Sequence, residues 1–430
     1  MKEIRIMVFP CGSEIGLELH RALKNIRFID LVGASGADDH GRWVYRNYIG
    51  NIPFVTDPAC IDALNRHIDA QQIDFIFPAL DSVMTVLSAN RARLHARLLA
   101  PPDETVQICR SKARTYAQLA GCDFLPRVYQ TPDEVSQFPV IIKPAESQGA
   151  QGFAILESAA QLQYEWQNRT AAQVVCEYLG GEEYTVSCFT DRHGALRFVS
   201  CRDRRRVKSG ISVRSVLLPL DARLAEIAAA INRRLTFRGA WFFQVKKNQS
   251  GEYRLLECAC RVAGTACVER AAGVNLPLLT VFDALDMDVD IAPQTDRVEV
   301  DRALHNVFRV GIDYDEVYLD FDDTLIVHER VNFAALQFVY QCVMRKIPVI
   351  LLTRHNTDVV KDLEAYHIAP TLFDRIICLP RSARKIDHIS PSKKALFVDD
   401  SFAERQAMQQ TFGIRTWGVD AVEALLEEWV

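Results

Sequence analysis

Acidic side chains in the last third of the chain directly follow short apolar runs. The segment VYLDFDDTLI ends one run in Asp320 and places Asp322 two residues later, and ALFVDDS ends another in Asp399 and Asp400. Carboxylates at i and i+2 beyond a strand end can face one pocket, where one attacks phosphorus and the other protonates the leaving oxygen. Carboxylates with oxygen-only surroundings suit Mg²⁺. These residues predict a magnesium-dependent phosphoryl-transfer site with Asp320 as nucleophile.

Two further side chains fit this chemistry. The apolar run VILLTR delivers Thr353, whose hydroxyl can donate a hydrogen bond to a phosphoryl oxygen. Lys385 is a cation suited to offset the charge of the transferring group, although Lys393 and Lys394 compete for this role. If the runs are parallel strands, the residues that follow them lie at the carboxyl edge of a sheet, where open α/β sheets bind ligands. The presence of four such segments in one part of the chain favours a phosphoryl-transfer site over the alternative that they are merely polar loops at strand ends.

In this order, the four pieces resemble the haloacid dehalogenase (HAD) superfamily of phosphohydrolases, from about Val317 to Val430. The resemblance implies a Rossmannoid fold, with Asp320 as phospho-accepting nucleophile and Asp322 as general acid and then base. It implies that Thr353 and Lys385 stabilise the phosphoryl group. The implied site for Mg²⁺, or alternatively Mn²⁺, consists of Asp320, Asp322, Asp399 and Asp400. The gaps between Asp320, Thr353 and Lys385 are too short for a large cap domain, so we expect an open site unless the rest of the chain supplies a lid.

A second set of candidate residues lies in the middle of the chain. In FPVIIKPAESQGAQGFAIL, a strand ends in Lys143 and a loop carries Gly149 and Gly152. The backbone amides of such a loop can wrap phosphates, and Lys143 can meet them. Further on, the turn NQSG joins two strands that carry Gln244 and Glu257, and this pattern is typical of a hairpin with metal-facing oxygens.

Together with SKARTYAQL and RVAGTACVERAAGVNLP, these segments resemble the ATP-grasp superfamily, in particular its carbamoyl phosphate synthetase-like branch. The resemblance covers about residues 1–290. It implies that ATP phosphates bind Lys112 and Lys143, and that Arg261 stabilises the transferred phosphoryl group. It also implies that Glu177, Tyr178 and Leu179 form the hinge that contacts adenine, and that Glu183 contacts the ribose. Gln244 and Glu257 are the implied Mg²⁺ ligands.

One departure from the family pattern concerns the metal shell. The family usually has Glu-x-Asn-Pro-Arg, whereas this chain has Glu257, Cys258, Ala259, Cys260 and Arg261 in that order. The asparagine oxygen is therefore missing. Water can replace it, since Mg²⁺ commonly keeps several waters; alternatively, the ligase step is weakened or lost.

The run Cys201–Ser215 carries six cations. One interpretation is a clamp over the ATP site, in which Arg206, Lys208 and Arg214 bind a carboxylate or phosphate. The other is a solvated basic loop.

Hydrophobic periodicity supplies the elements that position these residues. In the first hundred residues strands and helices alternate, which predicts a parallel, helix-covered Rossmann-like sheet; the predicted strands are Ile4–Phe9, Phe28–Ala34 and Phe75–Pro78, and the predicted helices Ile15–Lys24, Cys60–Asp69 and Val83–Leu98. Longer strands in the middle predict a mixed α+β domain. Alternation resumes with strands at Val317–Asp320, Val349–Thr353, Arg375–Leu379 and Ala395–Asp399. We therefore expect a multidomain α/β chain: a pre-ATP-grasp domain at 1–103, an ATP-grasp domain at 104–292, a linker at 293–314 and a HAD-like domain at 315–430.

The composition of the chain indicates which classes of partner and which compartment to expect. The 430 residues carry a net charge of −5, which argues against nucleic acid as a partner. The sequence has no apolar stretch of membrane-spanning length, and its twelve cysteines form no CxxC pair. We expect its N-terminal apolar run to be a first strand rather than a signal peptide. We expect a cytoplasmic, bifunctional enzyme that acts on small molecules: a carboxylate, an amine or similar nucleophile, and a phosphorylated compound. In the alternative, only the phosphatase is catalytic and the ATP-grasp part is a binding module. The oligomeric state stays open.

Overall fold

The computed structural model describes residues 2–146, 152–168, 172–208, 210–295 and 297–427. The chain divides into two units, Met1–Leu304 and His305–Val430. Each unit is described by itself.

The first unit begins with a parallel sheet of five strands in the order β3-β2-β1-β4-β5. Its central strand, β1, is almost wholly buried, as expected for a parallel sheet with helices on its faces. Ser13 caps the helix after β1 by accepting a hydrogen bond from the Gly16 amide. The elements are β1 (Ile4–Phe9), α1 (Glu14–Leu23), β2 (Ile29–Ala34), α2 (Gly41–Val44), β3 (Asn47–Ile49), α3 (Cys60–Gln71), β4 (Phe75–Pro78), α4 (Asp81–Ala89) and β5 (Arg97–Leu98).

The predicted helix Val83–Leu98 is wrong in its second half. The helix ends at Ala89, where the Asn90 side chain donates a hydrogen bond back to the Val86 carbonyl. A short 3-10 turn follows, and the chain then enters β5, which pairs in parallel with β4. The buried Leu98 packs into the core of this sheet, so tertiary packing decides its conformation.

Two antiparallel sheets complete the first unit. The smaller has the order β6-β9-β7-β8, and the larger has the order β12-β13-β11-β10-β14-β15, with β16 paired to β13. The elements are α5 (Asp103–Arg110), α6 (Lys112–Gln118), β6 (Val128–Tyr129), β7 (Val140–Pro144), β8 (Ala154–Leu156), α7 (Ala159–Asn168), β9 (Gln173–Glu177), β10 (Glu183–Thr190), β11 (Leu196–Asp203), β12 (Arg206–Lys208), β13 (Ile211–Leu218), α8 (Ala222–Arg234), β14 (Gly239–Lys247), β15 (Tyr253–Ala259), α9 (Cys267–Ala271), α10 (Leu276–Ala284) and β16 (Glu299–Asp301).

Two segments of this unit differ from the sequence interpretation. The basic run Cys201–Ser215 was open to interpretation as a solvated loop, but it contains the end of β11, all of β12 and the start of β13. Strand β16 lies inside the segment predicted as a linker and pairs with β13.

The second unit has a five-stranded parallel sheet in the order β21-β20-β17-β22-β23, and a separate two-stranded hairpin. Its strands β17, β20 and β22 are almost entirely buried. Ser401 caps α13 by accepting a hydrogen bond from the Glu404 amide. The elements are β17 (Glu316–Leu319), β18 (Ile326–Val327), β19 (Arg330–Val331), α11 (Phe333–Met344), β20 (Val349–Arg354), α12 (Val359–Ala365), β21 (Arg375–Leu379), β22 (Ala395–Val398), α13 (Phe402–Phe412) and β23 (Arg415–Trp417).

Among the helices of the described residues, none combines the length and apolarity needed to cross a membrane.

Candidate active sites

A cavity of about 620 Å³ lies in the first unit. Its lining comes from both antiparallel sheets and from the starts of helices α1 and α4, which follow strands of the parallel sheet. Eight of the residues predicted to bind ATP or Mg²⁺ are brought together there: Lys112, Lys143, Glu177, Leu179, Glu183, Gln244, Glu257 and Arg261. Gly152, Tyr178, Arg206 and Lys208 are not among the lining residues, and Gly149 lies outside the described residues. Most, but not all, of the residues predicted to bind ATP or Mg²⁺ therefore line one cavity.

Gln244 and Glu257 are direct cross-strand partners on β14 and β15. Because side chains alternate along a strand, Ala259 lies on the same face as Glu257. Ala259 is paired with Phe242 in the ladder, and its methyl packs in a small apolar cluster with Phe242 and Ala263. The position of the missing asparagine is therefore filled by apolar contacts.

Two lysines approach this pair from separate elements. Lys112, at the start of α6, has its Nζ 4.0 Å from Glu257 Oε2. Burial lowers the pKa of Lys112. Lys143, on β7, donates a hydrogen bond of 3.0 Å to the hydroxyl of Tyr116. Burial opposes the Lys143 cation, but its interactions with Tyr116 and Cys176 outweigh that effect and raise its pKa. The cavity therefore holds two ammonium groups where nucleotide phosphates are expected.

Arg261 is fixed by a residue from the N-terminal sheet. Its Nε and Nη2 donate to the two oxygens of Asp81, at 2.8 and 2.7 Å. Asp81 is the first residue of α4 and follows β4, so it lies at the carboxyl edge of the parallel sheet. This bidentate pair sets the plane of the Arg261 guanidinium. Sequence reasoning missed Asp81, since it is 180 residues away from its partner.

The basic strands correct the predicted clamp. Arg206 is paired with Asp301 and Arg214 with Glu299, both at exposed positions, and Lys208 is exposed. Arg204 lines the cavity instead, with its side chain only 10% exposed and its Nε 3.1 Å from Glu183 Oε1. That contact lacks hydrogen-bond geometry, so the Arg204 Nε has no hydrogen-bond partner among the described residues.

Arg202, two residues before Arg204, is fully buried, and it donates to Thr265, Ser187 and Glu269. Alternation along a strand cannot distinguish Arg204 from Arg206, because both lie an even number of residues after Arg202. Strand β11 ends at Asp203 and Arg206 begins β12, so the fold and not the sequence identifies Arg204 as the arginine that lines the cavity.

The second candidate site lies at the carboxyl edge of the parallel sheet in the second unit. Carboxylate oxygens of Asp320, Asp399 and Asp400 lie within 4.8 Å of one another, and this is the one acidic group among the described residues that is spaced to hold a metal ion. Lys385 is 1% exposed, and its Nζ lies 2.8 Å from Asp320 Oδ1 and 2.7 Å from Asp399 Oδ2. Lys393 is exposed, and Lys394 is paired with Asp313. Of the three competing lysines, Lys385 therefore reaches the carboxylates.

Crowding of negative charge marks this cluster. Burial raises the pKa of Asp320 against the opposing effect of Lys385. Burial and then the charge of Asp320 raise the pKa of Asp399 to about 6. The cluster has three carboxylates and a single lysine. Such an oxygen-rich arrangement can bind an additional hard cation.

Thr353 carries an orphaned polar atom at this site. It is fully buried, and its hydroxyl lies close to the Asp320 carboxylate. The Thr353 Oγ1 nevertheless has no hydrogen-bond partner of good geometry among the described residues. Buried polar atoms are rarely left unpaired, and this hydroxyl is therefore available to a bound group.

The structure separates Asp322 from the predicted metal ligands. Its carboxylate does not belong to the acidic group of the described residues, and its Oδ2 lies 2.7 Å from His355 Nδ1. Sequence reasoning missed His355, which follows directly after β20. Burial disfavours the His355 cation, but the hydrogen bonds with Asp362 and Asp322 outweigh that effect and raise its pKa.

The described segment 320–385 contains no inserted domain. Between Asp320 and Thr353 lie the hairpin β18–β19 and helix α11, and between Thr353 and Lys385 lie α12, a 3-10 turn and β21. The segment between these residues therefore has no large cap domain.

The chain thus has a mixed α/β multidomain fold. A family model described as "ATP-grasp in the biosynthetic pathway with Ter operon" matches residues 169–305. No curated protein is similar enough in sequence to match the chain.

Solved structures resemble the chain at low sequence identity. The biotin carboxylase domain of Hydrogenobacter thermophilus 2-oxoglutarate carboxylase, in complex with MgADP, ADP and bicarbonate, has a TM-score of 0.57 at 14% identity and covers 69% of this chain and 73% of its own. Staphylococcus aureus N5-carboxyaminoimidazole synthetase with ADP has a TM-score of 0.58 at 13% identity, covering 68% and 81%. Bacillus licheniformis L-amino acid ligase has a TM-score of 0.54 at 14% identity, covering 66% and 75%. Together with the family model, these likenesses support an ATP-grasp fold.

Proposed function

We propose that the chain is a bifunctional enzyme. Its first unit is an ATP-dependent ligase of the ATP-grasp type, which activates a carboxylate as an acyl phosphate and passes it to an amine or similar nucleophile. Its second unit is a Mg²⁺-dependent phosphohydrolase of the HAD type, in which Asp320 is the nucleophile.

The ligase is supported by the convergence of Lys112, Lys143 and the pair Gln244–Glu257 on one cavity. Its size suits a nucleotide with part of a second substrate. Two similar proteins were solved with ADP or MgADP, and ATP is therefore the nucleotide proposed here. Gln244 and Glu257 would hold Mg²⁺, which when bound offsets negative charge on the phosphates.

Each residue of the site has a proposed role. Glu177 and Leu179 line the cavity and, with Tyr178 between them in the chain, form the adenine hinge, and Glu183 binds the ribose. Lys112 and Lys143 bind the phosphates. As a carboxylate oxygen of the substrate attacks the γ-phosphorus and ADP departs, Arg261 stabilises the transferring group in the orientation set by Asp81. The nucleophile then attacks the acyl carbon, and phosphate leaves. The unpaired Nε of Arg204 is a donor suited to the carboxylate substrate.

The phosphohydrolase is supported by the convergence of Asp320, Asp399 and Asp400 with Lys385. An Asp320 oxygen attacks phosphorus, and Asp322 gives a proton to the leaving oxygen. Lys385 and the orphaned Thr353 hydroxyl donate to the phosphoryl oxygens. Asp322 then takes a proton from water, which attacks the aspartyl phosphate and releases phosphate. The three carboxylates would hold Mg²⁺, which when bound neutralises charge on the phosphoryl group.

A second candidate function rests on Ala259. Its apolar contacts with Phe242 and Ala263 occupy the place where the family supplies a metal ligand. In this case the first unit binds a nucleotide or presents a substrate without ligation, and only the second unit is catalytic.

Calorimetric titration with ATP and Mg²⁺, run beside an ADP-release assay over panels of carboxylates and amines, separates the two functions. A ligase binds ATP and releases ADP only when an acid is supplied. A binding module binds ATP, but no acid and amine stimulate ADP release. Hydrolysis of p-nitrophenyl phosphate in the same preparation tests the second unit.

A further inference from the structure

A cluster of polar side chains that does not include the acidic group contacts Asp322. His355 Nδ1 lies 2.7 Å from Asp322 Oδ2, and His355 Nε2 lies 2.6 Å from Asp362 Oδ2. The Thr357 hydroxyl donates to the same Asp362 oxygen at 2.5 Å. We call His355, Thr357 and Asp362 the histidine brace.

The imidazole of the brace is fixed on several sides. Its backbone amide donates to the Leu379 carbonyl at 3.2 Å, and its ring packs edge-on against Phe321 at 5.2 Å. The His355 side chain is 13% exposed, whereas that of Asp322 is 50% exposed. A largely covered ring with several contacts therefore meets one oxygen of an exposed carboxylate, and the other oxygen, Oδ1, can face a ligand.

We propose that His355 is a positioning residue that orients Asp322 toward the leaving group, a role that rests on the proposed phosphohydrolase. An exposed aspartate has a broad, two-fold torsion about its carboxyl group. A charge-assisted hydrogen bond to Oδ2 restricts that torsion and directs Oδ1 to one place. The open site gives this contact its importance, because the described segment 320–385 has no inserted domain that closes over Asp322.

Asp362 and Thr357 act on the far side of the same ring. By accepting from Nε2, Asp362 fixes the plane of the imidazole, and Thr357 holds the Asp362 carboxylate in turn. Outer groups of this kind are known to set the orientation of an inner histidine.

Two leaving groups provide the test, because general-acid help matters more for a poor leaving group. Phenolate is a poorer leaving group than p-nitrophenolate. We expect H355A to lower kcat/KM by about tenfold for phenyl phosphate and by less than about threefold for p-nitrophenyl phosphate. H355N keeps a donor near the position of Nδ1 and is expected to restore most of the loss, whereas H355Q keeps a donor near Nε2 and is not.

The controls distinguish the brace from its surroundings. H388A replaces an exposed histidine in the same unit and is expected to change neither rate. D362A removes only the outer contact and serves if H355A does not fold; its loss is expected to be smaller, with the same dependence on the leaving group. Equal losses on both substrates in H355A and D362A would overturn the positioning role. If instead D320N hydrolyses both substrates as fast as the wild type, the phosphohydrolase itself is wrong.

Discussion

The two candidate sites differ in how their charges are balanced. The cavity of the first unit is lined by charges of both signs, since the cations Lys112, Lys143 and Arg261 lie there together with several carboxylates that include Glu257. The acidic group of the second unit sets three carboxylates around a single buried lysine. Cations that already line a cavity can bind a phosphate directly, whereas a carboxylate cluster needs a metal before it can accept one. We therefore expect the first site to tolerate a weakened metal shell, and the second not to tolerate the loss of a carboxylate.

The largest effect is expected for D320N. We expect hydrolysis of p-nitrophenyl phosphate to fall by about 10³-fold or more, because the amide cannot form the phospho-enzyme and also loses a metal ligand. ATP affinity of the first unit, measured by calorimetry, is expected to stay within about twofold. A variant that retains hydrolysis would contradict the nucleophile assignment.

K143M gives the corresponding loss in the first unit. Removing a buried ammonium that faces the cavity is expected to lower acid-stimulated ADP release by about 10²-fold. K208M is the matched control, since Lys208 is exposed and absent from the cavity lining. Similar losses in both variants would restore the clamp predicted from the sequence.

Some parts of the fold and of the candidate sites could be predicted from the sequence, and others could not. Residues at the ends of buried strands were placed correctly near one another, as for Asp320, Thr353 and Asp399, since the carboxyl edge of a parallel sheet is fixed by topology. The second half of the predicted helix Val83–Leu98 is wrong, and the basic run forms strands where a loop was one interpretation, because packing rather than local propensity decides both.

Partners far apart in the chain were beyond sequence reasoning. Asp81 meets Arg261 because the start of α4 and the segment that follows β15 line the same cavity. His355 meets Asp322 because they follow adjacent strands of the second unit, β20 and β17. No periodicity of the sequence predicts such contacts.

T353V separates stability from activity in the second unit. Valine has the shape of threonine without the unpaired hydroxyl, and we expect the free energy of unfolding to rise by about 1–3 kcal/mol in denaturant melts. Hydrolysis of p-nitrophenyl phosphate is expected to fall by roughly tenfold or more, because a phosphoryl oxygen loses its donor. Destabilisation together with unchanged activity would show that the hydroxyl has a structural partner.

A259N probes the weakened metal shell of the first unit. If the cavity already works as a ligase, an added oxygen next to Glu257 is expected to lower the Mg²⁺ concentration for half-maximal ADP release by about two- to tenfold, equivalent to one hydrogen bond of about 0.5–1.5 kcal/mol. A259V, which adds volume without an oxygen, is the control. Equal responses in the two variants would indicate that packing against Phe242 and not metal ligation governs this position.

The smallest expected effect is a pH dependence of the stabilisation of the second unit by Mg²⁺. Burial and Asp320 raise the pKa of Asp399 to about 6, above the value of about 3.9 for an aspartate in an unfolded chain. The folded state therefore binds this proton more tightly, and its stabilising contribution is present below about pH 4 and lost as the pH rises through 6. Mg²⁺ needs the ionised carboxylate, so its stabilising effect should grow over the same interval.

Thermal melts with and without Mg²⁺ at pH 5 and pH 7.5 check this linkage. We expect the Mg²⁺-induced rise in the Tm of the second unit to be larger at pH 7.5 by about 2–4 °C. D399N, which cannot ionise, should remove the difference between the two pH values. The cavity of the first unit provides the contrast, since Glu257 there lies 4.0 Å from the Lys112 ammonium and is not part of a carboxylate cluster among the described residues. A Mg²⁺ shift that is equal at both pH values would mean that Asp399 is already ionised in the folded protein, with Lys385 alone balancing the charge of the cluster.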